Sequence, residues 1–218
     1  MNQPFPTLFT NIENFDYIQE KTLELQRLMA YYQCAIMEIE TKFKVLDTQF
    51  SLQHDRNPIN TIKTRLKSFP SIIEKLERYN FPFTVASIEE NLNDIAGIRV
   101  VCSFLDDVYL LCDALLTQDD ITLIQKKDYI QNPKVNGYRS LHLIVSVPIF
   151  LENEKRSMKV EIQLRTIAMD CWASLEHQLK YKKEATFTSE MQDSLQECAK
   201  LSLELDKRMD ELRKQADI

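Results

Sequence analysis

The sequence predicts an α+β protein: a mixed β-sheet of four to five strands flanked by helices, with long N- and C-terminal helices. Three observations carry that expectation. Four short apolar or β-branched runs, at 98–104, 121–126, 141–147 and 158–165, have the length and composition of strands. Helical patterns are interleaved with them in the order α-α-β-α-β-β-β-α-α, which suggests a sheet covered by helices. Two long segments near the ends repeat apolar residues at steps of three and four, the period of a helix with one apolar face.

Residues 16–53 carry Leu25, Leu28, Tyr32, Ile36, Ile39, Phe43, Leu46 and Phe50, a near-heptad stripe on one long helix. The stripe fits packing on the protein's own core and packing on another chain equally well. Asn57-Pro58 ends that helix, because proline pushes the residue before it out of helical conformation. A second helix is expected over about 59–79, with Ile62, Leu66, Phe69, Ile72, Ile73 and Leu76 inward and a break or kink at Pro70. Phe81-Pro82-Phe83 is a loop, and 84–92 is a short helix with Ser87 as its cap. The 98–104 strand is followed by a helix over 107–118, a turn at Asp119-Asp120 and the 121–126 strand. Pro148 is expected to end the 141–147 strand. After the 158–165 strand come a helix over 166–182 and a last helix over about 188–215, with Leu195, Cys198, Leu201, Leu205, Met209 and Leu212 on one stripe.

Only two of the 218 residues are glycine, Gly97 and Gly137, where an average usage of ~7% would give roughly fifteen. Two glycines so far apart build neither GxGxxG nor GxxxxGK[ST], which disfavours Rossmann, Walker-A and kinase-type phosphate loops. The 27 basic and 33 acidic residues sum to −6, which argues against general nucleic-acid coating but leaves room for local basic patches. No run of 18 apolar residues marks a membrane span, and Met1–Thr10 lacks the basic-then-apolar signature of a signal peptide. The five scattered cysteines, Cys34, Cys102, Cys112, Cys171 and Cys198, read as buried thiols of a reducing cytoplasm. The lack of CxxC argues against a structural zinc site.

The 158–165 strand holds the clearest chemical signal. Met158, Val160, Ile162 and Leu164 share one face, and Lys159, Glu161, Gln163 and Arg165 share the other. That polar side is either solvated or functional. A second acid, Asp94, stands just before the 98–104 strand, and two carboxylates on neighbouring strands can share Mg²⁺, which typically takes one or two carboxylates plus substrate phosphates. Lys67, Ser71, Lys75 and Arg78 fall on one stripe if the second helix runs through Pro70, with Lys63 and Arg65 nearby. This is either a solvated lysine face or a phosphate surface in which side chains replace a glycine-loop cradle. Asn136-Gly137 marks a turn that puts Tyr138 and Arg139 at the mouth of a strand. Tyr138 could stack on a base and Lys134 or Arg139 could meet phosphate; a plain hairpin with a surface tyrosine is the alternative. His54-Asp55 has too few companions for an HD-type metal site, and Trp172 is expected to pack the last helix onto the sheet.

Four motifs in fixed order then carry a resemblance: RLKSFPSIIEKL from Arg65, DIAGIRVVCSF from Asp94, DYIQNPKVNGYRSLHLIV from Asp128 and VEIQLRTIAMDCWASLEH from Val160. The chain closely resembles the small alarmone synthetases of bacteria, and looks most like their RelP-like branch. The resemblance covers about 55–183, which implies an alarmone synthetase domain there, an N-terminal helical segment for oligomerisation over 1–54 and a C-terminal helix over 184–218. It implies a nucleotidyltransferase-like fold and a GTP pyrophosphokinase (GTP diphosphokinase) of the stringent response, moving the β,γ-diphosphate of ATP to the 3′-hydroxyl of GDP or GTP to give ppGpp or pppGpp and AMP. With no room for hydrolase or regulatory domains, the chain is expected to make alarmone and not degrade it.

Carried over motif by motif, Arg65, Lys67, Ser71, Lys75 and Arg99 would bind ATP, the two arginines sandwiching the adenine. Asp94 and Glu161 would hold Mg²⁺ and carry catalysis, Glu161 being the better acceptor for the 3′-hydroxyl proton. Tyr138 would stack on guanine, with Lys134, Asn136, His142, Gln163 and Arg165 around the GDP or GTP. The resemblance also implies a cytoplasmic homotetramer joined through its terminal helices, with no membrane and no stable nucleic-acid partner. Cys171, where such proteins usually have phenylalanine, reads as a packing change. The runner-up reading is a nucleotidyltransferase acting on another acceptor, against which the Tyr138 motif speaks. A non-catalytic nucleotide-sensing scaffold is the third, against which the intact acid pair speaks.

Overall fold

Apolar residues at every second position bury one face of β5 (Lys155–Thr166) through Met158, Val160, Ile162 and Leu164. In the computed structural model, which describes residues 12–54, 56–182 and 188–216, this strand is the middle of a five-stranded sheet ordered β1-β2-β5-β4-β3. The others are β1 (Ile59–Leu66), β2 (Ala96–Cys102), β3 (Thr122–Asp128) and β4 (Leu141–Phe150). β2 and β5 run parallel and every other neighbouring pair is antiparallel, so the sheet is mixed as expected.

The long helix α1 (Ile12–His54) crosses the apolar face. Its Leu28, Tyr32, Ile36, Ile39, Phe43, Leu46 and Phe50 are buried with the sheet residues in one core, so the near-heptad stripe serves this chain's own packing. α4 (Leu105–Leu116) buries Val108, Leu111, Cys112 and Leu115 in the same core.

The second expected helix divides at Lys67. Residues 59–66 form edge strand β1, paired antiparallel with β2, and α2 (Phe69–Arg78) begins only after Ser68. Pro70 lies in the first turn of α2, where its missing N–H has no intrahelical partner to lose, so there is no kink. In α3 (Val85–Asn91) the cap is Thr84, whose hydroxyl accepts from the Ser87 amide at 3.1 Å, so Ser87 supplies the donor and not the cap. β4 continues past Pro148 to Phe150; β3 pairs only as far as Ser146, and beyond it β4 is an edge strand that tolerates proline.

Two helices complete the chain, α5 (Ile167–Lys182) and α6 (Ser189–Ala216). Trp172 donates its indole N–H to the Leu195 carbonyl at 3.0 Å and packs with Ala173 and Ala199. It therefore ties α6 to α5, in a small cluster separate from the sheet core, and not to the sheet itself. Cys102 and Cys112 are buried as expected, whereas Cys171 and Cys198 are exposed, so the Cys171 substitution alters no buried packing. The His54 side chain and Asp55 lie outside the described residues. No helix among the described residues is long and apolar enough to cross a membrane.

Candidate active site

Strand register lays polar residues across the sheet in two rows. Lys63, Arg99, Gln163, His142 and Lys127 are successive partners from β1 to β3. The next row runs Arg65, Gly97, Glu161, Ile144 and Gln125. Partners in register share a sheet face, so this polar face is the reverse of the one that α1 covers. Gly97 puts no side chain between Arg65 and Glu161; a Cβ there would lie 3.5 Å from the Arg65 carbonyl oxygen.

Two cavities lie along these rows and share two residues, Asp94 and Glu161. One, of about 230 Å³, is lined by Lys63, Arg65, Lys67, Arg99 and Gln163 besides the shared acids. The other, of about 300 Å³, is lined by Lys75, Asn93, Lys127, Tyr129, Lys134 and His142 besides them. The two acids flagged by sequence thus stand at one junction, with cations on both sides.

The junction is electrostatically poised. Asp94 accepts from Lys75 Nζ at 2.7 Å and from Lys67 Nζ at 2.9 Å. Burial opposes its charge, but the two ammonium groups outweigh burial and hold the carboxyl below its ordinary range. Burial likewise opposes the Glu161 charge, and the nearby Asp94 adds to that opposition. The His142 ring, with Nδ1 3.5 Å away, and the Gln163 amide at 3.2 Å prevail, so Glu161 also ionises more readily than usual.

Two aromatic rings, Tyr129 and His142, line the second cavity, and Tyr138 packs against both without itself forming part of either cavity wall. The Tyr138 hydroxyl accepts from Arg165 Nη2 at 2.5 Å and lies 2.8 Å from His142 Nε2. Tyr129, Tyr138 and His142 meet edge to face, and Lys134 Nζ lies 4.6 Å and 4.8 Å from the two tyrosine ring centres. Such rings suit a planar aromatic ligand or a cation.

Several expected residues act one step back from the cavities. Ser71 hydrogen-bonds Ser68 in the first turn of α2, outside both cavity walls. Asn136 shapes its loop, accepting from the Tyr138 amide at 3.2 Å and donating to Glu176 at 3.1 Å. Arg165 is buried behind Tyr138 and Gln163, and burial lowers its pKa. Arg139 does not reach the cavities for phosphate; it is buried against α6. Gln163 lines the first cavity, between Arg99 and His142 in its row.

Sequence reasoning missed Tyr129 and Asp170, although both lie inside quoted motifs. Asp170, nearly buried, gathers Lys63 at 3.1 Å, Arg99 at 3.2 Å and Arg165 at 3.3 Å. It thereby fixes two arginines on the polar face. Its place on α5, against the sheet, follows no sequence periodicity.

The donor set suits Mg²⁺. Asp94 and Glu161 are hard oxygen ligands, the Asn93 Oδ1 oxygen is buried without a partner, and ammonium groups already neutralise Asp94 as a cation would. No group of three or more His, Cys, Asp or Glu able to hold a metal occurs among the described residues. A metal here would take further ligands from a bound substrate.

This arrangement, two cation-lined cavities meeting at a carboxylate pair on a mixed sheet, is one suited to phosphorylated substrates held side by side. Residues 64–186 match the region found in RelA/SpoT proteins, and the chain belongs to that family, among its small alarmone synthetases. It is 39% identical over 207 residues to the GTP pyrophosphokinase YwaC of Bacillus subtilis, covering 95% of this chain and 99% of that one. The crystal structure of small alarmone synthetase 2 from Bacillus subtilis superposes with a TM-score of 0.80 at 40% identity, over 88% of this chain and 99% of that one. Small alarmone synthetase 1 from the same organism, bound to its product pppGpp, gives a TM-score of 0.80 at 34% identity, over 88% of this chain and 97% of that one.

Proposed function

We propose that the chain is a GTP pyrophosphokinase, transferring the β,γ-diphosphate of ATP to the 3′-hydroxyl of GDP or GTP. The observation that carries this reading is the position of Asp94 and Glu161 at the junction of two cation-lined cavities. A diphosphate passing between two nucleotides needs such a junction, with attacking and leaving oxygens in line across the β-phosphorus.

On this reading the first cavity takes ATP. Arg65 and Arg99 flank the adenine, and Lys67 from this cavity and Lys75 from the wall of the second leave Asp94 partly for the phosphates, with Ser71 on α2 nearby. The second cavity takes the guanosine nucleotide. Tyr138 stacks on the base, Lys134 and His142 flank it, and Asn136, Gln163 and Arg165 hold those groups in place. Glu161, ionised and held by His142 and Gln163, accepts the proton of the 3′-hydroxyl. Asp94 and Glu161 would hold Mg²⁺, which supplies charge neutralisation at the transferring phosphates. All of these residues fall within 55–183, with 1–54 and 184–218 as the flanking segments that carry α1 and α6.

Products are the test. Incubation with Mg²⁺, ATP and GDP, followed by chromatography, should give ppGpp and AMP one to one, and Asp94→Ala should give neither. A mononucleotide joined to another acceptor would replace this reading with a nucleotidyltransferase. Nucleotide binding without any product would replace it with a sensor.

The nucleotide substrates fit a cytoplasmic protein. A homotetramer joined by the terminal helices belongs to the same reading, with α6 as the element that supports it. Its Leu201, Leu205, Met209 and Leu212 are exposed along one stripe, whereas the α1 stripe is consumed by the core. A monomer in sedimentation velocity would remove that claim.

A further inference from the structure

The side that α6 turns inward is not its apolar one. Ala199, Asp206 and Asp210 are buried, while Leu201, Leu205, Met209 and Leu212 stay outside. Hydrophobic burial therefore does not by itself orient this helix, and the contacts of its inner side do. Besides the Trp172 cluster with α5 and the Arg213–Asp106 bond, they fall on one loop, residues 133–140.

Arg139, 5% exposed, donates through Nη2 to Asp206 Oδ2 at 2.7 Å and to Ser202 Oγ at 3.2 Å. Gln196 Nε2 donates to the Val135 carbonyl at 2.7 Å. Gly137, at a φ of 88°, passes so close to α6 that a Cβ there would lie 2.5 Å from the Ala199 Cβ. Successive turns of α6 thus grip one loop by a side-chain bond, a steric fit and an ion pair.

The ion pair matters most. Asp206 is the one carboxylate within ion-pair distance of Arg139 among the described residues, and Arg139 Nη1 is buried without any partner. A buried guanidinium stripped of its carboxylate is strongly unfavourable, so the loop would have to move to release it. Arg139 directly follows Tyr138, and Lys134 lies on the same loop, so that movement would carry Lys134 of the second cavity's wall and Tyr138, which packs against its Tyr129 and His142 rings.

We propose that Asp206 is a positioning residue for the acceptor nucleotide: through Arg139 it fixes the loop that presents Tyr138 and Lys134, and α6 is thereby a working part of the acceptor site. The proposal rests on the reading of the second cavity as the guanosine-nucleotide site.

The test compares Asp206→Asn with the unaltered chain, by steady-state kinetics and by amide hydrogen exchange. KM for GDP should rise about tenfold, with kcat and KM for ATP essentially unchanged. Amides of residues 134–138 should exchange faster, and those of β2 should not. Asp106→Asn is the control. It cuts a different tether of α6, the 2.5 Å bond from Arg213 Nη2 to Asp106, and should leave KM for GDP alone. An unchanged KM for GDP in Asp206→Asn, or an equal rise in Asp106→Asn, overturns the proposal. If Asp206→Asn does not fold, Ser202→Ala loosens Arg139 without stranding its charge, and should raise KM for GDP by a smaller factor; no rise overturns the proposal. If the unaltered chain makes no alarmone, the functional reading fails separately. Exchange then decides: a loop as protected in Asp206→Asn as before overturns the proposal, and a faster one upholds it.

Discussion

Tyr138 and Glu161 sit on opposite nitrogens of one imidazole: the Tyr138 hydroxyl lies 2.8 Å from His142 Nε2, and the Glu161 carboxylate 3.5 Å from Nδ1. One ring of the second cavity's wall therefore orients both Tyr138 behind it and the carboxylate at the junction. His142→Ala should raise KM for GDP about tenfold and lower kcat by about 10²-fold. Steady-state kinetics with GDP varied at saturating ATP checks this. A change in KM alone would show that Glu161 holds its position without the ring.

Glu161→Gln keeps the shape and removes the charge. If Glu161 accepts the 3′-hydroxyl proton, kcat should fall by roughly 10²–10⁴-fold while both nucleotides still bind. Single-turnover rates beside equilibrium dialysis separate the two effects. Near-normal turnover would take Glu161 out of the proton transfer.

Tyr138 offers both a face and a hydroxyl. Base–aromatic stacking is worth ~1–3 kcal/mol, so Tyr138→Ala should raise KM for GDP by roughly 5- to 160-fold and leave KM for ATP in place. Tyr138→Phe keeps the face but loses the bonds to Arg165 and His142, and should show a smaller rise. An unaltered KM in Tyr138→Ala would remove the stack from the site.

Acid should weaken the site in a definite direction. The Asp94 carboxyl lies below its ordinary 3.8 in the folded chain, because Lys75 and Lys67 outweigh the burial that opposes its charge. The unfolded chain therefore binds that proton at a higher pH than the folded one does. The resulting stabilisation is fully present above 3.8 and is lost as pH falls through the lowered folded value. Melting temperatures of the unaltered chain and of Asp94→Asn should converge as pH drops from neutrality through this window. A gap that widens on acidification would contradict the Lys67–Asp94–Lys75 arrangement.

The central strand was legible because both of its faces follow a period of two: alternate apolar burial on one side, Glu161 and Gln163 on the other. The acid pair was legible for the same reason, since Asp94 precedes the neighbouring strand. β1 was not. It is an edge strand whose exposed residues follow no alternation, and Ile62, Leu66, Phe69, Ile72 and Leu76 continue a helical spacing straight across the strand–helix boundary. Ser68 followed by Pro70 was the local signal of a helix start. Asp170 and the Arg139–Asp206 pair were hidden for a different reason. They join segments 71 and 67 residues apart, and side-chain pairing at that range leaves no trace in local periodicity.

The position of β5, paired with β2 on one side and β4 on the other, sets the order in which the protein fails. Glu161 lies on the central strand, in the region that opens with the whole fold, whereas loop 133–140 leans on a helix that leaves Leu201, Leu205 and Leu212 exposed. On warming, the grip on the guanosine nucleotide should slacken well before the carboxylate pair comes apart. Heat would then first cost the protein its choice of acceptor, and only at global melting its chemistry.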